Sequence, residues 1–204
     1  MSTGKMEYGV AFEVATSVLN HIHPAMDRVE IAGSLRRKKP VVGDVELVAI
    51  PADRQRLISL LGEVGQHIKP GVPGVVPWQP KENARYFRVR LSQGINLDLF
   101  CGTPNNWGGL FMMRTGSGAD QSGNPYNGFT PGIFARWKKM SNGGRMTDCM
   151  PTTTEGDQLW IPEEQDFFDI LEMNFIPPEA RTSRHVIKRY LVSSNVEEKN
   201  VKET

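Results

Sequence analysis

The chain has 204 residues, of which 39% are hydrophobic and 23% charged, with a formal net charge of +1. That length allows one to two domains and a sizeable core, and the composition is ordinary for a soluble globular protein. It excludes a membrane span, because no apolar run nears the roughly 18 residues needed, and the balanced charge excludes a global basic field that would by itself announce nucleic acid.

The opening MSTGKMEYGV lacks the basic-then-apolar plan of a secretion signal, so the expectation is a soluble, intracellular, cytoplasmic protein with no membrane partner, acting as a monomer. Cys101 and Cys149 are too few for a disulfide framework or a zinc site and read as plain thiols. His21 and His23 precede Pro24 at a helix end and read as surface or capping residues.

In chain order, Val10, Phe12, Val14, Ala15, Val18, Leu19 and Ile22 recur about every 3.6 positions, which predicts an amphipathic helix over 6–22, ended by Pro24. Strands over 29–32 and 45–50 follow, separated by a Gly33-Ser34 turn and a basic segment. A second helix over 52–64 buries Leu57, Ile58, Leu60, Leu61 and Val64. The Pro- and Gly-rich run 69–84 is irregular or an edge ribbon, with Trp78 capping the core. Residues 86–91 and 95–100 form a hairpin across Ser92-Gln93-Gly94.

Beyond a loop that begins at Cys101, the spacing predicts a short helix over 110–114 and a mobile loop over 118–131. A helix over 133–140, a weak hairpin over 146–161, a helix over 162–173 and a turn at Ile176-Pro177-Pro178 come next. A polar tail from Thr182 is expected to be partly disordered.

Three stretches carry chemistry. Asp44 and Glu46 are two apart in a strand and project together, with Val45, Leu47 and Ala49 packed behind them, which is a metal-binding geometry. The preceding turn offers an anion cradle. Gly33 permits close backbone approach, Ser34 brings a hydroxyl and an N–H, and Arg36 and Arg37 bring guanidinium forks suited to phosphate. A third carboxylate, Asp98, alternates with Ile95, Leu97 and Leu99 and can join the first pair from a neighbouring strand. Three acids so placed can hold two divalent ions about 3.5–4 Å apart for in-line displacement at phosphorus. Taken singly, the same residues also read as an ordinary turn and solvent-facing acids. Four basic patches, at 36–39, 85–90, 136–139 and 181–189, would track a phosphate backbone if they share a face.

Five motifs in order resemble the nucleotidyltransferase superfamily and, more narrowly, the family X DNA polymerases. They are AGSLRR (32–37), GDVEL (43–47), NLDLF (96–100), WGGLFMMRTGS (107–117) and DFFDILEMNFIPPEAR (166–181). The resemblance implies an α+β fold: a nucleotidyltransferase-type palm over 1–104, with a mixed sheet and flanking helices, and a smaller thumb-like subdomain over 105–181. The tail over 182–204 lies outside both. It implies that Asp44, Glu46 and Asp98 bind two Mg²⁺ or Mn²⁺ ions, Asp98 also serving as general base. Gly33, Ser34 and Arg37 would take the β and γ phosphates of a dNTP, with Gly43 at the head of the second motif. Thr115, Gly116 and Ser117 would line the sugar and base, often with a cis peptide before the serine. Arg136, with Lys138 and Lys139 on the same helix, would touch DNA.

The implied activity is template-directed addition of a dNMP to a primer 3′-hydroxyl, in short-gap filling during DNA repair. Three departures stand out. Glu46 replaces the usual aspartate, Met113-Arg114 replaces a usually aromatic pair, and Gly132 falls where a base-contacting asparagine is common. Only about 28 residues precede the first motif strand, so the chain resembles the reduced palm-plus-thumb form of some viral or phage members. Two other readings stay open: transfer to RNA, a protein or a small molecule, and a non-catalytic binding module whose site has decayed at Glu46.

Overall fold

In a computed structural model of the chain, residues 4–192 are described. The chain is mixed α+β. A two-residue strand β1 (Met6–Glu7) leads into helix α1 (Tyr8–Ile22), whose buried stripe is Ala11, Val14, Ala15, Val18 and Ile22. Strand β2 (Met26–Ile31) starts earlier than its apolar core suggests, because its pairing with the next long strand extends back to Met26.

The Gly33-Ser34 turn proves to be one turn of helix, α2 (Gly33–Arg36). Gly33 enters it at φ +62°, a left-handed conformation that glycine adopts without penalty. Strand β3 (Val41–Val42) pairs with β1, and strand β4 (Asp44–Pro51) follows. Helix α3 (Arg54–Val64) begins two residues later than predicted, because Asp53 caps it by accepting the Arg56 N–H at 2.9 Å.

Strand β5 (Gly65–His67), strand β6 (Tyr86–Leu91) and strand β7 (Asn96–Cys101) complete a five-stranded sheet in the order β2-β4-β7-β6-β5. The β4–β7 pair is parallel and the others antiparallel. Trp78, expected to cap the core, is half-exposed beside His67 and Pro77.

Alternation sorts the sheet into two faces. Val45, Leu47 and Ala49 of β4, Leu97 and Leu99 of β7, and Phe87, Val89 and Leu91 of β6 form the main core beneath α1 and α3. Each fully buried Val, Leu or Phe among them contributes about 1.5–3 kcal/mol. The opposite face carries Asp44, Glu46, Asn96, Asp98, Tyr86, Arg88 and Arg90. Its lower half is closed by helix α4 (Trp107–Thr115), whose Trp107, Leu110 and Phe111 pack on Ala32, Val48 and Phe100. This helix starts earlier than predicted because Gly108 and Gly109 let backbone approach. A Cβ at either position would lie 2.1 or 1.9 Å from the backbone of Glu163 or Cys149.

Helix α5 (Phe129–Met140) begins before Ile133, its start fixed by Ser117 Oγ accepting the Phe129 N–H at 3.2 Å. Residues 118–128, expected to be a loop, carry their own bonding: Asp120 Oδ1 accepts from the Ser122 and Asn124 amides, and Pro125–Asn127 is a 3₁₀ turn. Strand β8 (Arg145–Thr147) and strand β9 (Met150–Thr152) make the small hairpin, and helix α6 (Glu164–Ile170) is shorter than predicted. A second core gathers Met112, Phe129, Ile133, Trp137, Phe167, Phe168 and Leu171.

The tail corrects one expectation. Arg184–Tyr190 is a 3₁₀ helix seated on α5, with Ile187 buried, where Gly132 supplies no side chain. A Cβ on Gly132 would come within 2.6 Å of Arg184 Cβ, so this position faces protein. The rest of the predicted disorder, from residue 193 on, lies outside the described residues. Among the described residues no helix is long and apolar enough to cross a membrane.

Candidate functional site

Register brings the three predicted acids onto one face. Glu46 and Asp98 are direct partners in the parallel β4–β7 pair, and Asp44 lies one pleat earlier, opposite Asn96. Paired residues on adjacent strands project to the same side, so the three carboxylates share one face of the sheet. Asp98 is only 5% exposed, and Asp44 and Glu46 are partly buried.

Their surroundings differ. Burial, and then the charge of Asp98, pushes the Asp44 carboxyl above its ordinary value, with Arg88 and Arg37 opposing. Burial, and then Asp44, pushes Glu46 up to about 7. Among the described residues no cation is hydrogen bonded to either carboxylate. Asp98 is the reverse case. Arg88 donates Nε to Oδ1 at 2.7 Å and Nη2 to Oδ2 at 2.9 Å, and the Tyr86 hydroxyl donates to Oδ1 at 2.7 Å. Burial, then the bond to Asp98, holds the Tyr86 phenol far above its usual range, so it stays a neutral donor.

Glutamate in place of the resembled aspartate is accommodated locally. The strand keeps its register, and the longer side chain reaches the space beside Gly33, where a Cβ would lie 1.9 Å from Glu46 Oε2. The anion cradle and the acids are therefore in contact.

Within that cradle, Ser34 Oγ and Arg37 Nε are buried and have no hydrogen-bond partner among the described residues. A buried donor left so costs about 1–3 kcal/mol, and in a native chain such groups mark a place for an acceptor. Arg37 Nη1 donates to the Thr115 carbonyl, aiming the guanidinium between α2 and α4. Burial lowers its pKa while Glu46 and Asp44 raise it.

Arg36, predicted to share the cradle, is committed elsewhere. It forks onto Glu164 at 2.7 and 2.8 Å, donates to Thr115 Oγ1 at 2.8 Å and lies 3.7 Å from the centre of the Phe111 ring. Arg181, fully buried, holds the same Glu164 and donates Nε to the Ile176 carbonyl at 2.8 Å. Burial raises the Glu164 pKa, but hydrogen bonds from Arg36 and Arg181 outweigh it and hold the carboxyl below its ordinary range.

Other predicted residues fall as follows. Gly43 is exposed at the head of β4, lining a cavity of about 480 Å³ with Asp44, Arg88, Arg90 and Asn96. Thr115 is buried and Gly116 presses on Phe129. Ser117 spends its N–H on the Arg181 carbonyl and its hydroxyl on α5, so this bend is anchored within the second half of the chain. The peptide bonds of the described residues are all trans, that before Ser117 included. Arg136 donates Nε to the Leu171 carbonyl at 2.7 Å, while Lys138 and Lys139 are exposed on the last turn of α5. Part of each of three basic patches is paired with an acid: Arg88 with Asp98 and Arg181 with Glu164 in buried or partly buried pairs, Arg85 with Asp148 and Lys38 with Glu179 at the surface.

A hard divalent cation takes oxygen ligands. Asp44 and Glu46, partly buried without a cation bonded to them, fit that chemistry. Asp98 has the right oxygens, but both are engaged by Arg88. Among the described residues no three Asp, Glu, His or Cys side chains come together as a metal-holding group.

Sequence reasoning missed Arg88 and Tyr86. The signal was present, because counting outward in step from the Ser92–Gly94 turn puts Arg88 opposite Asp98, as the structure does. Compared with models of known protein families and with the sequences of curated proteins, the chain matches none.

Proposed function

We propose that the chain is a metal-dependent nucleotidyltransferase of the family X polymerase kind. It would join a dNMP from a dNTP to the 3′-hydroxyl of a DNA primer and fill short gaps. The observation that carries this reading is one contact. Ser34 Oγ and Arg37 Nε, without partners among the described residues, belong to the same short turn whose Gly33 lies against Glu46, so an anion-seeking pocket and a cation-seeking carboxylate pair share a wall.

In the reaction, the primer oxygen bonds to the α-phosphorus, the bond from that phosphorus to the bridging oxygen breaks, and pyrophosphate leaves. A triphosphate brings its own leaving group, so the protein's work is positioning and charge neutralisation. Ser34 and Arg37 orient the triphosphate, and the covered lower face of the sheet excludes water. Asp44 and Glu46 would hold Mg²⁺ or Mn²⁺, which when bound neutralises phosphate charge. Asp98 is the base nearest the pair, able to accept the hydroxyl proton once an oxygen is free.

Incubation of the pure protein with a labelled primer on a gapped duplex, dNTPs and Mg²⁺ or Mn²⁺ tests this. Extension by one or a few nucleotides is expected, and absence of extension with both ions sinks it. A second reading, transfer to RNA, a protein or a small molecule, draws support from Arg88 and Arg181, which are taken from the basic patches by pairing with Asp98 and Glu164. Labelled product only on a non-DNA acceptor would favour it.

A further inference from the structure

Register sets two rows of polar side chains across the open face of the sheet. Glu46, Asp98 and Arg88 stand opposite one another in β4, β7 and β6, and one pleat along Asp44, Asn96 and Arg90 do the same. The second row and Arg88 line the cavity of about 480 Å³, with residues 72–75 as another wall. That wall is uncharged, on a ribbon closed by the Lys69 N–H donating to the Val76 carbonyl at 2.8 Å.

The charges in the cavity are unevenly matched. Arg88 has Asp98 as its counter-ion through Nε and Nη2. Arg90, half-buried, donates Nη1 to the neutral Asn96 Oδ1 at 3.1 Å, and among the described residues no carboxylate pairs with it. A guanidinium carries five N–H donors, so most of those on Arg90 remain for an acceptor that enters the cavity. Its planar fork suits phosphate oxygens.

Placement decides which phosphate. Arg90 is the diagonal neighbour of Asp98 across the β6–β7 pair, about 7–8 Å away between Cα atoms, a span that one nucleotide sugar can bridge. The sheet order β2-β4-β7-β6 sets the acids of β4 and β7 between the Ser34–Arg37 cradle, which follows β2, and Arg90 on β6. We infer that Arg90, with Asn96 beside it, is a second anion subsite, which holds the phosphodiester next to the acceptor's 3′-hydroxyl. The acceptor is then a polynucleotide end, since a protein hydroxyl brings no phosphate to that place. The inference rests on the nucleotidyl-transfer reading above and deepens it by naming the acceptor's class.

Fluorescence anisotropy with the full chain, without nucleotide, tests it on a labelled gapped duplex. The last primer linkage is either a natural phosphodiester or an uncharged methylphosphonate. The wild type should bind the natural duplex about tenfold tighter, as loss of one charge-assisted hydrogen bond implies. Arg90→Gln should bind both duplexes alike, near the weaker value, and its salt slope on the natural duplex should fall by about 1. Arg85→Gln is the control, because its exposed pair with Asp148 lies outside this cavity, and it should keep the preference. Should Arg90→Gln fail to fold, as judged by circular dichroism, Val75→Glu places a negative charge at an exposed position of the cavity wall. It should weaken the natural duplex more than the methylphosphonate one.

A wild type that binds both duplexes equally overturns the inference, as does a folded Arg90→Gln that keeps the full preference. The polymerase reading survives either result if the same wild-type protein still extends the natural primer. Equal loss of preference in Arg85→Gln also overturns the inference, because general charge then explains the effect. Binding to neither duplex overturns it too, and takes the polymerase reading with it when extension is also absent.

Discussion

Gly33 and Glu46 pack so closely that a methyl group on the first would lie 1.9 Å from a carboxylate oxygen of the second and 2.9 Å from its Cβ. The turn that forms the anion cradle and the strand that presents the acids are therefore one mechanical unit. Gly33 also holds φ at +62°. Gly33→Ala should destabilise the fold by about 1–3 kcal/mol, from the left-handed backbone and the displaced carboxylate together. Pairing it with Glu46→Asp, which withdraws the carboxylate, should recover part of that loss. Thermal melts of the four proteins of the double-mutant cycle measure this, and strictly additive losses would contradict the contact.

Glu46 carries a pH signature. Its carboxyl is raised from the ordinary 4.5 to about 7 by burial and by Asp44. The folded state then binds a proton more tightly than the unfolded state. Full stability is present below the unfolded value and is lost as pH rises from about 4.5 through 7. The penalty above pH 7 amounts to about 3 kcal/mol at most. Glu46→Gln, which cannot ionise, should melt higher than the wild type at pH 8 in chelator and lose that advantage at pH 4.5. An advantage that is constant with pH would show that Glu46 is not strained by its charge.

The link between the two halves is another matter, since Glu164 takes three short bonds from Arg36 and Arg181 and is nearly buried. Arg181 itself lies about 5 Å from the centres of the Phe168 and Phe175 rings. Truncating one partner of a buried pair leaves uncompensated charge, so Glu164→Ala should cost about 3–5 kcal/mol in chemical denaturation. The loss should appear even without substrate, because the network is structural. A change below 1 kcal/mol, on the order of a surface pair, would show that solvent replaces the carboxylate.

These three relationships were not equally visible in the amino-acid order. Alternation alone put Val45, Leu47 and Ala49 behind Asp44 and Glu46, and the structure agrees, because a two-residue period is imposed by the pleat itself. The hairpin over 86–100 was legible from its turn, and with it, in principle, the Arg88–Asp98 pair. Glu164 was not. Its partners Arg36 and Arg181 lie 128 and 17 positions away, and no local pattern distinguishes a buried ion pair from solvated charge. The same limit applies to Arg184–Tyr190, where Ile187, with Val186 and Tyr190 partly buried beside it, seats a basic segment on a glycine of α5.

The cradle and the third acid should fail differently in the transfer reaction. Arg37 meets the site through Nε, buried without a partner among the described residues, while its Nη1 is already held by the Thr115 carbonyl. An acceptor arriving at Nε is bound in ground and transition states alike, so Arg37→Ala should raise the nucleotide KM about tenfold or more with a smaller change in kcat. Arg37→Lys should recover little, because a point charge cannot serve Thr115 and a phosphate at once in the fork geometry. On the proposed reading Asp98 would act on the reacting hydroxyl and not on the nucleotide. Asp98→Ala should therefore remove transfer while nucleotide binding, read by filter binding or fluorescence, stays measurable. It should also free Arg88, placing an unpaired guanidinium beside Asp44 and Glu46, so the variant should bind Mn²⁺ more weakly than loss of one ligand alone would give. Near wild-type turnover in Asp98→Ala would remove it from the catalytic set and leave the Arg88 pair as simple support for the sheet.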